Sequence, residues 1–206
     1  GPVMRQISEG PVQAFPGPDF VTGWGLVRAA EAVELVARRA LADGTISASC
    51  DSVPFDFEVA AGSRVLRVTL AWDDVAADAG GNRLGPRLVN DLDLVLVDPS
   101  GVPHRPWLLD QVVVDASGVP VPDSAQRCGR RPTVRRSAIP VAADVPQPDP
   151  LQGAMLAAVR GRDHLNNVEQ VLVDNPTPGR WRMWVVGFDV RWGPQPFAVA
   201  GPTIMP

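Results

Sequence analysis

Lysine is absent from this chain, and all nineteen basic residues are arginine. Either cation serves on a solvated surface, so we read the bias, with the abundance of Ala, Val, Pro and Gly, as base composition of the source genome rather than function. Histidine occurs twice, at His104 and His164, and cysteine twice, at Cys50 and Cys128. That scarcity argues against a zinc or copper centre built from several His or Cys ligands. One cysteine pair cannot define a disulfide scaffold, and the sequence leaves open whether Cys50 and Cys128 are joined. No apolar run approaches the length that spans a bilayer, which argues against membrane insertion. A net charge of −4 argues against a nucleic-acid partner, although the arginines of 127–136 form a local positive cluster.

What remains is a composition of 45% hydrophobic and 20% charged residues, that of a soluble globular protein, over 206 residues that suffice for one ordinary core. The 22 prolines and 19 glycines fit a loop-rich, all-β chain better than a helical one. Gly1-Pro2 matches the pair left by a common tag-cleaving protease, so the natural start is unseen and nothing about secretion follows from it. Residues 3–21 read as an irregular extended segment. Over 25–42, Leu26, Val27, Ala30, Val33, Val36, Ala37, Ala40 and Leu41 recur at helical spacing, with Gly44 placed to stop the helix. Strands are expected at 54–60, 64–72, 88–97, 167–174, 181–191 and 197–201, bounded by turn signals such as Asp98-Pro99-Ser100-Gly101 and Trp192-Gly193-Pro194. Several short, punctuated strands predict a mainly β fold, an antiparallel β-sandwich or jelly-roll-like barrel with one N-terminal helix. Residues 111–160, with seven prolines and the arginine cluster, read as a long insertion loop holding a short helical piece at 151–159.

Several stretches carry a resemblance. Gly17-Pro18-Asp19-Phe20 leading through Gly23-Trp24-Gly25 into a helix is similar to the closing segment of a subtilisin-like catalytic domain. Leu66–Asp73, Asn90-Asp91-Leu92-Asp93-Leu94, Pro106–Asp110, Arg160–Asp163 with Asn166–Val171, and Gly193–Ala198 resemble, in order, the C-terminal β-barrel that follows that domain in one branch of the subtilisin-like serine proteases. The resemblance implies that 1–44 is the tail and last helix of a catalytic domain, and that 45–206 is the barrel, interrupted by the insertion. It implies a parent serine endopeptidase, secreted or extracytoplasmic, and makes its catalytic domain the expected partner of a monomeric, non-catalytic module. The family's His-Gly-Thr-His-like and Gly-Thr-Ser-x-Ala-x-Pro segments are missing, so no catalytic residue is expected in this chain. The alternative is a module that recruits the parent to a carbohydrate or protein surface, for which a row of exposed tryptophans would speak.

Two aspartates two apart on a strand face the same way, about 7 Å apart, so Asp91 and Asp93 repel unless water or a cation intervenes. Asp163, Asn166, Asn167 and Glu169 add oxygen donors within seven residues. Calcium takes six to eight oxygens, which this inventory suits, and Asp91, Asp93, Asp163 and Asn166 are the candidate ligands. Some barrels of the resembled class carry calcium. The competing reading has Asp91 and Asp93 accepting bonds from backbone and arginines, with Asn166-Asn167 capping a turn. Asp73-Asp74 reads as a strand-end turn, and His164 as a solvated loop residue.

Overall fold

The structure is a computed structural model, and it describes residues 17–18, 23–25, 27–77, 88–108, 158–202 and 204–205. The expected insertion 111–160 lies outside the described residues except for 158–160, and so does nearly all of its helical piece. The chain divides into two compact units: Gly1–Val27, Leu108–Gln126 and Arg130–Val159 in one, and Arg28–Trp107, Arg127–Gly129 and Arg160–Pro206 in the other. The two main sheets described below belong to the second.

Among the described residues, one helix, α1 (Ala29–Ala37), precedes eleven strands: β1 (Leu41–Ile46), β2 (Ser52–Val59), β3 (Val65–Ala71), β4 (Asn90–Val97), β5 (Pro103–His104), β6 (Trp107–Leu108), β7 (Val159–Arg160), β8 (Val168–Asp174), β9 (Gly179–Val190), β10 (Gln195–Ala200) and β11 (Ile204–Met205). A four-stranded sheet runs β1-β10-β3-β8 and a five-stranded sheet runs β11-β2-β9-β4-β5, while β6 and β7 form a two-stranded piece. Every pairing within the two main sheets is antiparallel. The mainly β expectation holds, but the sheets stay open rather than closing into a barrel.

Alternation explains why the sheets stack. Leu66, Val68 and Leu70 on β3, Leu92, Leu94 and Leu96 on β4, Trp181, Met183 and Val185 on β9, and Phe197 and Val199 on β10 all enter one buried cluster. A period of two puts such residues on one face of each strand, and each fully buried side chain contributes about 1.5–3 kcal/mol. All six predicted strands are present within a few residues of their expected bounds.

The helix is shorter than its periodicity implied. Arg39 takes a left-handed φ of 53°, its N–H donates to Val36 O at 3.0 Å, and Ala40 N–H donates to Leu35 O at 2.9 Å. This pair of closing bonds ends a helix at a left-handed residue, here an arginine rather than the usual glycine. The chain then enters β1, so the residues read as a helical tail are a strand, and that strand crosses the boundary expected after residue 44. Gly44 has a different task from stopping a helix. It pairs with Phe197 across β1 and β10, and a Cβ there would lie 2.6 Å from Phe197 Cζ.

Candidate functional site

β4 is buried on both faces over Asn90–Leu94, which an ordinary sheet strand in a two-layer protein is not. Its inner face is the leucine row. Its outer face presents Asp91 and Asp93, against which Arg162 and His164 lie from the segment that leads into β8. Across the sheet, Asp91 pairs with Asp189 and Leu92 with Gly187, so β9 bulges by one residue at Phe188. Phe188 is 1% exposed, and its ring stacks on His164 with centroids 4.1 Å apart and planes at 25°. A bulge re-aims a side chain, and here it supplies the surface that sets the plane of the imidazole.

His164 Nδ1 is 2.9 Å from Asp91 Oδ2 and 4.0 Å from Asp93 Oδ1. Arg162 Nη1 approaches the other oxygen of Asp93, Oδ2, at 3.8 Å. Asp91, Asp93 and His164 each offer one ligand atom, all within 4.8 Å of one another. The aspartates are 0% and 5% exposed. The expected ligand pair Asp163 and Asn166 is occupied elsewhere. Asp163 Oδ1 accepts from Leu165 N and Asn166 N at 2.9 and 3.1 Å, and its Oδ2 accepts from Asn166 Nδ2 at 2.7 Å. Those bonds close a tight Asx-type turn that aims His164 at β4. The four residues thus fall into two groups: Asp91 and Asp93 with His164, and Asp163 with Asn166. His164 is not a solvated loop residue, since its side chain is 19% exposed and in contact with a carboxylate.

Glu169 completes the region. Fully buried on β8, it accepts a hydrogen bond from Leu94 N at Oε2, while its Oε1 has no hydrogen-bond partner. Asp93 Oδ1 is likewise buried without one. Burial pushes the Asp93 carboxyl up to about 6, helped by the charge of Asp91 and opposed by His164 and Arg162. Burial, then the charge of Asp93, pushes Glu169 well above the usual carboxylate range despite the Leu94 N–H. For His164 burial works against the charged ring, but the Asp91 contact and the two carboxylates outweigh it and raise its pKa. The net result is a buried, acid-rich site that holds its excess negative charge either by keeping protons or by taking up a cation.

A second polar network lies at the start of β4. Asn90 is 0% exposed. Its Nδ2 donates to Trp192 O at 2.9 Å and Gln195 Oε1 at 2.8 Å. Its Oδ1 accepts from Arg191 N at 2.9 Å and Trp192 N at 3.0 Å. Asp74 caps the backbone N–H groups of Val89 and Asn90 at 2.7 and 2.8 Å, so one member of the predicted strand-end turn reaches fifteen residues forward to hold β4. Nothing in the local pattern around Asn90 marks it, because its partners lie about a hundred residues away.

Elsewhere Asp98, His104 and Ser100 come together at a turn. The Ser100 hydroxyl donates to Asp98 Oδ1 at 2.6 Å and His104 Nε2 lies 3.4 Å from Asp98 Oδ2. The carboxylate is central, held down to about 2 by the Ser100 and Val102 hydrogen bonds. A nucleophilic serine needs the imidazole, not the carboxylate, as its immediate partner. The tryptophans are dispersed: Trp72 and Trp181 are buried, Trp24, Trp107 and Trp184 are half-buried, and Trp192 alone is well exposed, at 71%. Cys50 is disulfide-bonded, and the sequence has one other cysteine, Cys128. Among the described residues no helix is long and apolar enough to cross a membrane.

No protein-family model matches the chain, and no curated protein matches it significantly.

Proposed function

We propose that this chain is a non-catalytic β-sandwich module of a subtilisin-like serine endopeptidase, which docks on the catalytic domain and stabilises or positions it. The observation that carries the reading is α1. None of its residues is buried, and Val33 and Val36 are 67% and 61% exposed. A helix with apolar residues three apart on one face gains most of its stability by burying that face. Here the sandwich does not bury it, and α1 follows the Gly-Pro-Asp and Gly-Trp-Gly segments that resemble the end of a catalytic domain. A catalytic domain supplies the missing partner. The disulfide at Cys50 supports an oxidising, extracytoplasmic setting. The single exposed tryptophan lends less support to a carbohydrate platform, which stacks sugars on several coplanar rings.

The test begins with the coding sequence upstream of residue 1. A subtilisin-like Asp/His/Ser domain is expected there, and an unrelated or absent upstream region defeats the proposal. The upstream portion and this chain, produced separately, should associate. Val33→Asp with Val36→Asp should abolish that association while leaving the sandwich's own stability within about 0.5 kcal/mol, as for other exposed substitutions. The chain alone should show no peptide hydrolysis above buffer, and turnover sensitive to a serine-directed reagent would count against it.

A further inference from the structure

The geometry points to Asp91 Oδ2, Asp93 Oδ1 and His164 Nδ1 as a site for one divalent transition-metal ion, zinc foremost, that fastens the segment before β8 onto the outer face of β4. This goes beyond the accessory-module reading and does not depend on it.

The donor atoms already converge. The His164 nitrogen stands 2.9 and 4.0 Å from the two carboxylate oxygens, and ligands of a tetrahedral zinc ion lie about 3.3 Å apart for bonds of 2.0–2.2 Å. With the three ligand atoms within 4.8 Å of one another, closing on an ion requires no pair of them to draw together by more than about 1.5 Å. An acidic cluster alone would not justify a site, but a second observation does. Asp93 Oδ1 and Glu169 Oε1 are buried carboxyl oxygens without a hydrogen-bond partner. Buried polar atoms are nearly always satisfied, and one left over calls for an ion or an ordered water. Asp93 divides its two oxygens suitably, with Oδ2 toward Arg162 and Oδ1 toward His164. Arg162 can thus remain in place as an outer partner of the ligating carboxylate, the kind of support that orients metal ligands. The stack on Phe188 fixes the imidazole plane in advance.

The donor set selects the ion. Calcium requires six to eight oxygens, whereas this site brings together two carboxylates and a nitrogen, with Asp163 and Asn166 bonded to each other. One imidazole with two carboxylates suits zinc and its first-row neighbours. His164 was the ligand concealed from sequence reasoning, since a lone histidine beside a loop carries no spacing signal.

The full chain, stripped with EDTA and exchanged into chelator-free buffer, should be titrated with zinc, manganese or calcium chloride and followed by native mass spectrometry and thermal melting. One zinc per chain and a zinc-dependent rise in Tm are expected, both lost in His164→Gln and Asp93→Asn and retained in the surface control Asp56→Asn. Should either variant fail to fold, cobalt added to the wild-type chain must give visible absorption bands of a four-coordinate site, and the His164 ring resonances must broaden. No stoichiometric zinc, zinc binding that survives His164→Gln, or a calcium response indifferent to that substitution would each overturn the assignment.

Discussion

Replacing Asn90 with alanine should destabilise the sandwich more than almost any other single polar substitution in it. The side chain makes four hydrogen bonds of 2.8–3.0 Å, two donated and two accepted, from a position 0% exposed. At about 1 kcal/mol net per bond the loss is about 4 kcal/mol, since alanine leaves the N–H groups of Arg191 and Trp192 without their acceptor and the buried Gln195 amide oxygen without its donor. For a chain of this length that corresponds to a fall in Tm of about 8–16 °C. The network does more than add energy. It ties the first residue of β4 to the turn between β9 and β10 and to Gln195, so it links β4 of one sheet to β10 of the other. Urea unfolding followed by far-UV circular dichroism, with tryptophan fluorescence as a second probe, measures the effect. Asn90→Asp is a useful companion, because it keeps both acceptor contacts but turns a carboxylate oxygen toward the Trp192 carbonyl and the Gln195 amide oxygen, and should be comparably damaging. A loss below about 1 kcal/mol for Asn90→Ala, with an unchanged m-value, would refute the argument that these bonds organise the junction.

Gly44→Ala should cost about 1–3 kcal/mol in the same assay, since the new Cβ would sit 2.6 Å from Cζ of the buried Phe197 ring; an unchanged midpoint would show that the ring moves aside freely. Glu169, whose pKa is raised in the folded state, contributes stability that is fully present below its unfolded value near 4.5 and is lost as pH rises through the folded one. With EDTA present, Glu169→Gln should therefore flatten the decline of unfolding free energy from pH 5 to 8, and identical slopes for the two proteins would contradict the burial argument. Cys50→Ser removes the disulfide. If it closes a loop of about eighty residues, the entropic limit is about 4.5 kcal/mol, so the variant should melt earlier than the oxidised protein but match it once both are reduced. Alkylation of the unreduced, denatured wild-type chain should add no mass, and uptake of the reagent at two thiols would overturn the pairing.

Much of the fold was legible because the signals are local. Alternating apolar residues between turn-forming clusters located all six predicted strands, including the leucine row of β4 and the inward Trp181-Met183-Val185 series of β9. The same alternation placed Asp91 and Asp93 together on the opposite face, a relation that needs only the period of a strand. Where local signals conflict, the outcome depended on longer range. Residues 41–42 fall within the stretch of helical periodicity, yet pairing of Leu41–Ile46 with β10 drew them into a sheet, and a left-handed arginine did the work expected of a glycine.

The candidate site shows the same division between what sequence alone determined and what only the tertiary structure decided. Composition and periodicity determined a mainly β chain with a pair of same-face aspartates and a supply of oxygen donors some seventy residues later. They did not determine which donors would meet. The Asp163 turn consumed Asp163 and Asn166 in bonds to each other, and that turn delivered His164 instead, onto a ring presented by the bulge at Phe188. Closure of the two sheets into a sandwich also was needed to bury Glu169 against Leu94 and to bring Asn90 to the turn after β9. Strand period and turn chemistry are written in consecutive residues, whereas register, bulges and the burial of charge arise only when segments remote in sequence exclude water from one another.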